Sequence, residues 1–376
     1  MKKSVLKFGG SSFIDHNSYL RVAEYIDGRV SRGEKVAVVV SAMSGTTGRL
    51  KEAVIRVNPA YSGEVGDLLL ATGEIVSCCM LRAACEKRGL SVGALTGFQA
   101  GIETDREFGR ASVTRIDPGA LNDLIAEKDV VVLCGGQAVT DDHRLTMLGR
   151  NSSDLTAILV AHALGVEGCE IFSDVPGIYS SDPHWVPPAR CLPEVSYASA
   201  IAMSRMGAKV LHHGCVVTAE RMGIAIHCRM MDREGRGVTG TVIGRGRDAS
   251  AVVIAKDAML MHPREAGGAE ALRRRFDAGN LNHFTLGSDL FLLDASLRGG
   301  DLKRLGEMAA IEMGYLVSLS ESGSVTAHEF LPREREAREA ANRFHRRIEP
   351  GGPSATATIP REKRRSGMSE LLTLAS

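Results

Sequence analysis

The chain has 376 residues, of which 44% are hydrophobic and 24% are charged, and its formal net charge is +1. These values are typical of a soluble globular protein with room for two domains, and the near-neutral charge argues against a nucleic-acid or membrane partner. No apolar run approaches a membrane span of ~20 residues, and the basic start has no apolar core behind it, so we expect no signal peptide.

The first predicted strand, residues 5–8, runs into a turn rich in glycine and hydroxyl groups. Residues 7–12 have the sequence KFGGSS, and a helical pattern begins near Ser18. Backbone N–H groups in such a turn can approach a polyphosphate closely, and Lys7 can add a positive charge. Alone, the motif is weak, because it lacks the Walker spacing and Gly/Ser-rich turns are common.

Short apolar runs alternate with segments of helical period up to about residue 245. This alternation predicts an α/β fold with a mainly parallel sheet and helices on both faces. The predicted strands are residues 5–8, 36–40, 92–95, 130–134, 170–173 and 224–228. The predicted helices are residues 19–32, 67–88, 154–164 and 197–206. Ligands of such sheets bind beyond the carboxyl ends of the strands. The residues expected there are Gly9, Gly10, Ser41, Gly135, Gly136 and Asp174.

Two polar segments precede or open predicted helices. Residues 72–74 (TGE) are predicted to open a helix, where Glu74 either stabilises the helix dipole or binds an ammonium group of a small substrate. Residues 148–154 (LGRNSSD) precede a helix, and Arg150 presents a fork matched to a carboxylate. Asp154 is either part of the helix cap, or it holds a cation or orients a lysine.

All eight cysteines fall between Cys78 and Cys228, and none forms a C-x-x-C pair. This pattern favours buried, reduced thiols in a cytoplasmic protein.

Residues 173–183 (SDVPGIYSSDP) form the most specific segment. A predicted strand delivers Asp174, the chain turns at Pro176 and Gly177, and Tyr179 follows. An aromatic ring near a phosphate site is suited to an adenine face, although a polar loop with a packing tyrosine has the same pattern.

Residues 206–212 (MGAKVLH) place Lys209 within a predicted apolar helix. The lysine there either snorkels to the surface or binds an anion. The neighbouring His212 and His213 have no acid or cysteine at ligand spacing, so we interpret them as structural residues rather than metal ligands.

The pattern changes after residues 244–248 (GRGRD), which we interpret as a linker. Residues 250–328 are predicted to form a compact α+β module of the small ligand-sensing type. From Arg333 onward, arginine and glutamate alternate, which predicts a solvated helix within a charged, partly disordered tail, 329–376. The predicted elements of the module are strands at 252–261, 290–293 and 315–319 and helices at 269–276 and 302–313.

In their order and spacing, these segments resemble the aspartate kinase branch of the amino-acid kinase superfamily over about residues 1–243. The resemblance implies a three-layer α/β/α catalytic domain for residues 1–245 and an ACT-like regulatory and dimerisation module for 250–328. It is carried by residues 7–12, 41–47, 72–74, 148–154, 173–183, 207–212 and 240–243.

The resemblance also implies roles for individual residues. The implied catalytic residues are Lys7, Asp154 and Lys209, with Asp154 organising the catalytic lysine. The implied substrate-binding residues are Thr47, Glu74, Arg150 and Ser153, with Arg150 on the α-carboxylate. The implied ATP-binding residues are Lys7, Gly9, Gly10, Ser11, Ser173, Asp174, Tyr179, Asp182 and Lys209. No residue is assigned to the Mg²⁺ cofactor.

The activity that the resemblance implies is transfer of the ATP γ-phosphate to the side-chain carboxylate of L-aspartate, giving 4-phospho-L-aspartate. Two anions meet in such a reaction, so positioning and charge neutralisation dominate catalysis, and the ionised acceptor needs no general base. We expect a homodimer through the C-terminal module, whose sheet edge is otherwise unpaired. Two alternatives stay open: a kinase for a related amino acid or carboxylate in a specialised pathway, and a catalytically silent nucleotide-binding regulator.

Several features depart from the family pattern. Asn151 and Ser152 replace two glycines after the arginine, His184 replaces a basic residue after Asp-Pro, and residues 135–138 (GGQA) replace a Gly-aromatic-x-Gly turn. The family commonly carries two tandem ACT modules, whereas residues 250–328 have room for about one. We therefore expect a truncated module and weak or absent feedback inhibition.

Overall fold

Runs of valine, isoleucine and leucine form a central eight-stranded sheet in the computed structural model. The structure describes residues 2–149, 152–208, 211–232, 235–265, 267–278, 281–293 and 299–348. Strands with both faces covered by helices are expected to be apolar throughout. The strands are β1 (Lys2–Phe8), β2 (Glu34–Val40), β3 (Val92–Leu95), β6 (Val130–Cys134), β9 (Gly168–Ser173), β10 (Glu194–Ser196), β11 (Ala225–Met231) and β12 (Gly237–Gly244). Their order across the sheet is β10-β12-β11-β9-β1-β2-β6-β3. All described pairings are parallel except that between β11 and β12.

Helices cover both faces of this sheet, because successive side chains of each strand point to opposite sides. Leu6 and Phe8 of β1 are buried on one side, and Val5 is buried in a second core on the other. The three-layer α/β/α architecture predicted from the sequence is therefore confirmed. The helices of this domain are α1 (His16–Val30), α2 (Thr46–Val57), α3 (Gly63–Glu86), α4 (Gly119–Glu127), α5 (Ser152–Ala163), α6 (Tyr197–Arg205) and α7 (His213–Met222).

Helix α3 is long and apolar enough to cross a membrane by length and composition. It is a core helix of this domain, because Leu81 and Cys85 are buried in the same core as Leu6 and Phe8. The Ser62 hydroxyl accepts the Val65 N–H and caps its start. The prediction that a helix opens at residues 72–74 is therefore wrong.

A small four-stranded sheet, which the sequence analysis did not predict, packs on α3. Its strands are too short to give a clear period. They are β4 (Ile102–Thr104), β5 (Val113–Ile116), β7 (Gln137–Thr140) and β8 (Leu145–Met147), in the order β5-β4-β7-β8. Strand β8 leads directly into the segment that precedes α5.

Four charged side chains connect helix α1 with three strands in the middle of the central sheet, and two of them, Arg29 and Glu34, are buried. The Arg29 guanidinium on α1 contacts Glu34 Oε2 at the start of β2 and Glu170 Oε1 on β9, each at 2.7 Å. Arg229 on β11 reaches the other oxygen of Glu170, also at 2.7 Å. Burial opposes ionisation of Glu34, but hydrogen bonds from Arg29 and Ser4 and the charges of Arg29 and Lys2 together outweigh it and lower the pKa of Glu34.

The C-terminal module is an antiparallel sheet with helices, reached through residues 245–250. Its first six elements follow the β-α-β-β-α-β order of ferredoxin-like modules, in agreement with the α+β module predicted. The elements are β13 (Ala251–Pro263), α8 (Gly268–Ala278), β14 (His283–Leu286), β15 (Asp289–Leu292), α9 (Gly299–Met308), β16 (Ala309–Glu321), β17 (Ser324–Leu331) and α10 (Glu334–Ile348). The strand order is β14-β15-β13-β16-β17.

Three predicted helices need correction. The helix predicted at 302–313 ends at Met308, because Ala309 already pairs with Pro263 in the sheet. The helix predicted through residues 206–212 is interrupted, since α6 ends at Arg205 and Gly207 has a φ of +94°.

The third is α10, which is not a solvated helix, because one face is buried in the module. Ala337, Ala340, Ala341 and Phe344 have no exposed surface and pack with Trp185, which belongs to the loop after β9. The predicted boundary at residue 328 thus falls inside strand β17. The disorder predicted for the tail concerns residues 349–376, which lie outside the described part of the chain.

Candidate functional site

A buried ion pair lies at the carboxyl end of the first strand. Lys7 is the penultimate residue of β1, and its Nζ is 2.6 Å from Asp154 Oδ1 in the first turn of α5. Both residues are less than a tenth exposed. A cavity of about 40 Å³ lies beside the pair, and its lining includes Ser173, Val175 and Gly177. The carboxylate fixes the direction of the ammonium group toward this cavity.

The glycine turn after β1 brings the backbone close to Lys7. Gly9 N–H donates to Phe172 O at the end of β9 (3.2 Å), and Gly10, Ser11 and Ser12 form one 3₁₀ turn. A Cβ on Gly9 would lie 3.2 Å from Lys7 Nζ, and a Cβ on Gly10 would lie 2.9 Å from Ala42 O. The missing side chains leave a backbone cradle beside a cation, which suits an anion such as a phosphate.

Glu74 lies in the middle of α3 with only 8% of its surface exposed. Ala42 N–H donates to its Oε1 at 3.2 Å, whereas Oε2 is buried without a hydrogen-bond partner in the described structure. Burial raises the pKa of Glu74 to about 7, and the Ala42 amide opposes this rise. The first-turn helix-dipole interpretation does not apply here. A buried carboxylate oxygen with spare capacity is suited to a cationic or donor group of a ligand.

The start of α5 is fitted closely against two turns. Ser41 Oγ, after β2, donates to Ser153 Oγ at 3.0 Å. A Cβ on Gly135 would overlap Ser153, and a Cβ on Gly136 would overlap Ser152 Oγ. The glycines after β6 are therefore required by the two serines that open α5.

The loop after β9 divides into two parts. Ser173 Oγ donates to Val175 O at 2.8 Å, and Asp174 between them is exposed. Tyr179 pairs with Cys191. Asp182 Oδ2 is 3.2 Å from Lys256 Nζ of the C-terminal module. Asp182 is thus held by that module rather than by the Lys7–Asp154 pair.

The remaining predicted residues have different outcomes. Thr47 is the second residue of α2 and is exposed. Arg150 and Lys209 lie outside the described residues. His213 is half-buried, and this burial, together with the charge of Arg205, lowers its pKa to about 4. In the described part of the chain, no three His, Cys, Asp or Glu side chains are grouped to hold a metal ion.

The sequence analysis missed Asp67, which lies seven residues before Glu74 and therefore on the same face of α3. Its Oδ2 accepts Gly109 N–H at 2.8 Å and Met147 N–H at 2.9 Å. Burial raises the pKa of Asp67 to about 6, although the two amides oppose this rise. The sequence feature that could have indicated Asp67 is an acidic residue within an apolar helix. Asp67 fixes the chain two residues before Gly149, which leads into the arginine of the predicted site.

Contacts between neighbouring residues connect most of the described site. Glu74 contacts Ala42, the adjacent Ser41 contacts Ser153, and the next residue, Asp154, pairs with Lys7. This arrangement places a phosphate cradle with a cation next to a buried carboxylate that can bind an ammonium group. Such a site can hold two charged ligands side by side and neutralise the charge between them.

The chain is similar to a known protein family and to several curated proteins. Residues 2–229 match the model of the amino acid kinase family. An aspartokinase of Mycolicibacterium smegmatis is 41% identical over 241 residues, covering 63% of this chain and 57% of the relative. Aspartokinase 2 of Bacillus subtilis is 36% identical over 225 residues, covering 60% and 55%. The chain thus spans little more than half the length of these curated relatives.

Solved structures show the same fold. Escherichia coli aspartokinase III in complex with aspartate and ADP superposes with a TM-score of 0.64 at 23% identity, covering 85% of this chain and 88% of that one. The aspartate kinase of Synechocystis superposes with a TM-score of 0.56 at 26% identity, covering 86% and 60%. Since the family model matches well over half of the residues and the structure has the corresponding three layers, this chain belongs to the amino acid kinase family.

Proposed function

We propose that this chain is an aspartate kinase, which transfers the γ-phosphoryl group of ATP to the side-chain carboxylate of L-aspartate. The observation that carries the proposal is the buried Lys7–Asp154 pair beside the Gly9–Gly10 cradle, linked through the 41–42 turn to Glu74. The 36–41% identity to proteins named aspartokinase supports the choice of substrate.

The acceptor is an amino acid in this proposal because of Glu74. Its unpartnered Oε2 would accept the α-ammonium group, and this ion pair would replace part of the solvation that burial removes. The family resemblance assigns Arg150 to the α-carboxylate. The side-chain carboxylate is then the nucleophile.

The charge of Lys7 and the backbone of the glycine turn suit the phosphate groups of ATP. In the reaction, a carboxylate oxygen of aspartate bonds to the γ-phosphorus, the bond from phosphorus to the β,γ-bridging oxygen breaks, and its electron pair leaves with ADP. Lys7 neutralises charge on the transferred group, the N–H groups of the glycine turn orient it, and Asp154 holds the lysine in place. No proton has to be removed, because the acceptor is already ionised.

Mg²⁺ is part of the proposal because phosphoryl transfer from ATP uses it to offset phosphate charge. It is usually bound through one or two carboxylates together with substrate phosphates. Asp174, exposed between two residues that flank the cavity, supplies a carboxylate of this kind. Such a site does not need a cage of protein ligands.

A kinase for a related acceptor is the second candidate, and Ser152 favours it. Where the family resemblance implies glycine, this side chain is buried against the turn after β6. A serine side chain in place of glycine, two residues after the predicted substrate arginine, changes the space that is open to the acceptor.

Two further expectations belong to this proposal. A homodimer would cover strand β14 or β17 at the edges of the C-terminal sheet. A cytoplasmic location agrees with eight cysteines that are all free thiols. The weak feedback inhibition predicted from the sequence stays a prediction.

The test is a coupled assay of ADP release with L-aspartate and a panel of other amino acids and carboxylates. We expect turnover with aspartate, and a loss of about 10²- to 10³-fold in kcat for Lys7→Met. Lys2→Met is the matched control, since Lys2 is on the same strand with a side chain 74% exposed. Turnover on another acceptor alone would overturn the choice of aspartate, whereas tight ATP binding without ADP release would favour the silent regulator.

A further inference from the structure

The loop between β9 and β10 forms a hairpin whose base adjoins the Lys7–Asp154 cavity. Ser180 N–H donates to Arg190 O at 2.9 Å, and Leu192 N–H donates to Ile178 O at 2.8 Å. Gly177, immediately before the hairpin, lines the cavity. Thr241 on β12 holds this base, since its Oγ1 accepts Ile178 N–H at 2.8 Å and donates to Leu192 O at 2.6 Å. The tip, residues 181–189, extends beyond these bonds and needs contacts of its own.

The tip is held mainly through the only tryptophan of the chain, Trp185. Two cations lie over its ring, with Lys256 Nζ at 4.7 Å and the Arg338 guanidinium carbon at 4.6 Å from the ring centroid. Helix α10 also binds the backbone of the tip. Arg338 Nη1 donates to His184 O at 3.2 Å, and Asn342 Nδ2 donates to Trp185 O at 3.0 Å. Side chain and backbone are thus fixed by the same helix.

A second contact lies one turn further along α10. His345 Nε2 and Ser180 Oγ are hydrogen bonded at 2.9 Å, and both residues are buried. Ser180 directly follows Tyr179, and Asp182, two residues on, pairs with Lys256. Helix α10 and β13 therefore bracket the part of the hairpin that contains both predicted ATP-binding residues.

We propose that α10, together with Lys256, is a clamp that keeps this hairpin in the shape required for ATP. Arg338 and Asn342 are then positioning residues for the nucleotide, although both belong to the last helix of the C-terminal module. This inference rests on the proposed function, which assigns Tyr179 and Asp182 to ATP.

Two features show why the clamp is needed. A cavity of about 530 Å³ lies between the hairpin, the linker and α10, and its lining includes Ser180, Arg190, Asp248, His345 and Ile348. The hairpin is not packed tightly on that side, so it has room to shift when the clamp is released. The acceptor side is built instead from α3, the 41–42 turn and α5, so only the nucleotide side should respond.

The experiment compares Arg338→Met/Asn342→Ala with the wild-type chain and with Arg335→Met. Arg335 is the matched control, because it makes the same kind of i,i+4 pair on α10, with Glu339, while its side chain is 90% exposed. We measure KM for ATP, KM for aspartate and the emission maximum of Trp185. Thermal unfolding checks that each variant is folded, and the single variant Asn342→Ala is used if the double variant is not.

We expect KM for ATP to rise about tenfold in the double variant, from the loss of a cation–π contact and two hydrogen bonds. KM for aspartate should stay within about twofold, and the Trp185 emission should shift to longer wavelength as the ring gains solvent. Arg335→Met should match the wild type. A folded double variant with an exposed Trp185 but an unchanged KM for ATP would overturn the clamp.

Failure of the proposed function gives a different result. If the wild-type chain binds ATP but phosphorylates no acceptor, only the proposed function is overturned, and the Kd for ATP of the variants then decides the clamp. A wild-type chain that binds no ATP overturns both proposals.

Discussion

Glu74 shows how one buried carboxyl would combine the proposed binding role with a cost to folding. Its Oε1 is bonded to the Ala42 amide, and burial raises its pKa to about 7. An ammonium ligand requires the ionised form. Below pH 7, binding of the acceptor must therefore displace a proton, and above pH 7 it need not.

We predict that KM for aspartate rises about tenfold for each pH unit below 7 and levels off above pH 8. Steady-state kinetics between pH 5.5 and 8.5 at saturating ATP measure this profile. Glu74→Gln should raise KM at every pH and remove the dependence. A wild-type profile that is flat through pH 7 would contradict the role given to Glu74.

The same shift predicts how stability depends on pH in the ligand-free protein. The pKa of Glu74 is 4.5 when unshifted and about 7 in the folded state, so the folded state favours the protonated form. Stability from this group is fully present below pH 4.5 and is lost as the pH rises through 7, by about 3 kcal/mol in all. At pH 8, Glu74→Gln should therefore unfold at a higher temperature than the wild type. An equal or lower unfolding temperature for the variant would show that ionised Glu74 is not a strained group.

At the scale of elements, the turn after β6 and the start of α5 contact each other through Gly136 and Ser152, one of which is small where the other carries a side chain. The family resemblance implies an aromatic residue at position 136 and glycine at position 152, whereas this chain has Gly136 and Ser152. A Cβ on Gly136 would overlap Ser152 Oγ, and the φ of Gly136 is +76°. Positions 136 and 152 therefore share one space, and a larger side chain at one requires a smaller one at the other.

We predict that Gly136→Ala destabilises the protein by about 2–3 kcal/mol, from steric overlap and positive-φ strain together. Ser152→Gly in the same chain should restore the steric part, leaving about 1 kcal/mol from the backbone. A double-mutant cycle in urea measures the coupling. Additive effects would mean that the two residues do not compete for space.

Helix α10 shows what the amino-acid pattern could and could not reveal. The alternating charges predict a helix, and Ala337, Ala340, Ala341 and Phe344 have the spacing of a buried stripe. Three of these four are alanines, so the stripe is weakly apolar and the surrounding arginines and glutamates conceal it. Small side chains are what allow the helix to approach the sheet closely.

Across the whole molecule, the sequence predicted best what is buried on both faces. Residues 92–95 and 130–134 match β3 and β6, because parallel strands between helix layers are continuous apolar runs. Strand β10 and the small sheet were missed, since strands of three or four residues show no period. The eight-residue strands β12 and β17 were missed as well, because polar residues and glycine interrupt their apolar runs. The pairing of Asp182 with Lys256 joins residues 74 positions apart, and no local pattern indicates it.

The ion pairs among Arg29, Glu34, Glu170 and Arg229 allow a prediction about the stability of the whole domain. Arg29→Met would leave the buried Glu34 and the partly buried Glu170 with fewer partners, and we expect a loss of about 3–5 kcal/mol. Arg88→Met is the control, since its pair with Asp27 is partly exposed and should contribute about 0–1 kcal/mol. Urea unfolding of both variants measures the difference. Similar losses in the two would show that burial of the network has no energetic consequence.

The distribution of sulfur has a practical consequence. Of the eight thiols, six are inside the protein, Cys191 is half covered, and Cys79 faces solvent from the long helix that also carries Glu74. A mild electrophile would therefore meet one sulfhydryl group in the native protein. A dye or spin label on Cys79 would lie on the same helix as Glu74, and it would report on movements of that helix without any substitution in the chain.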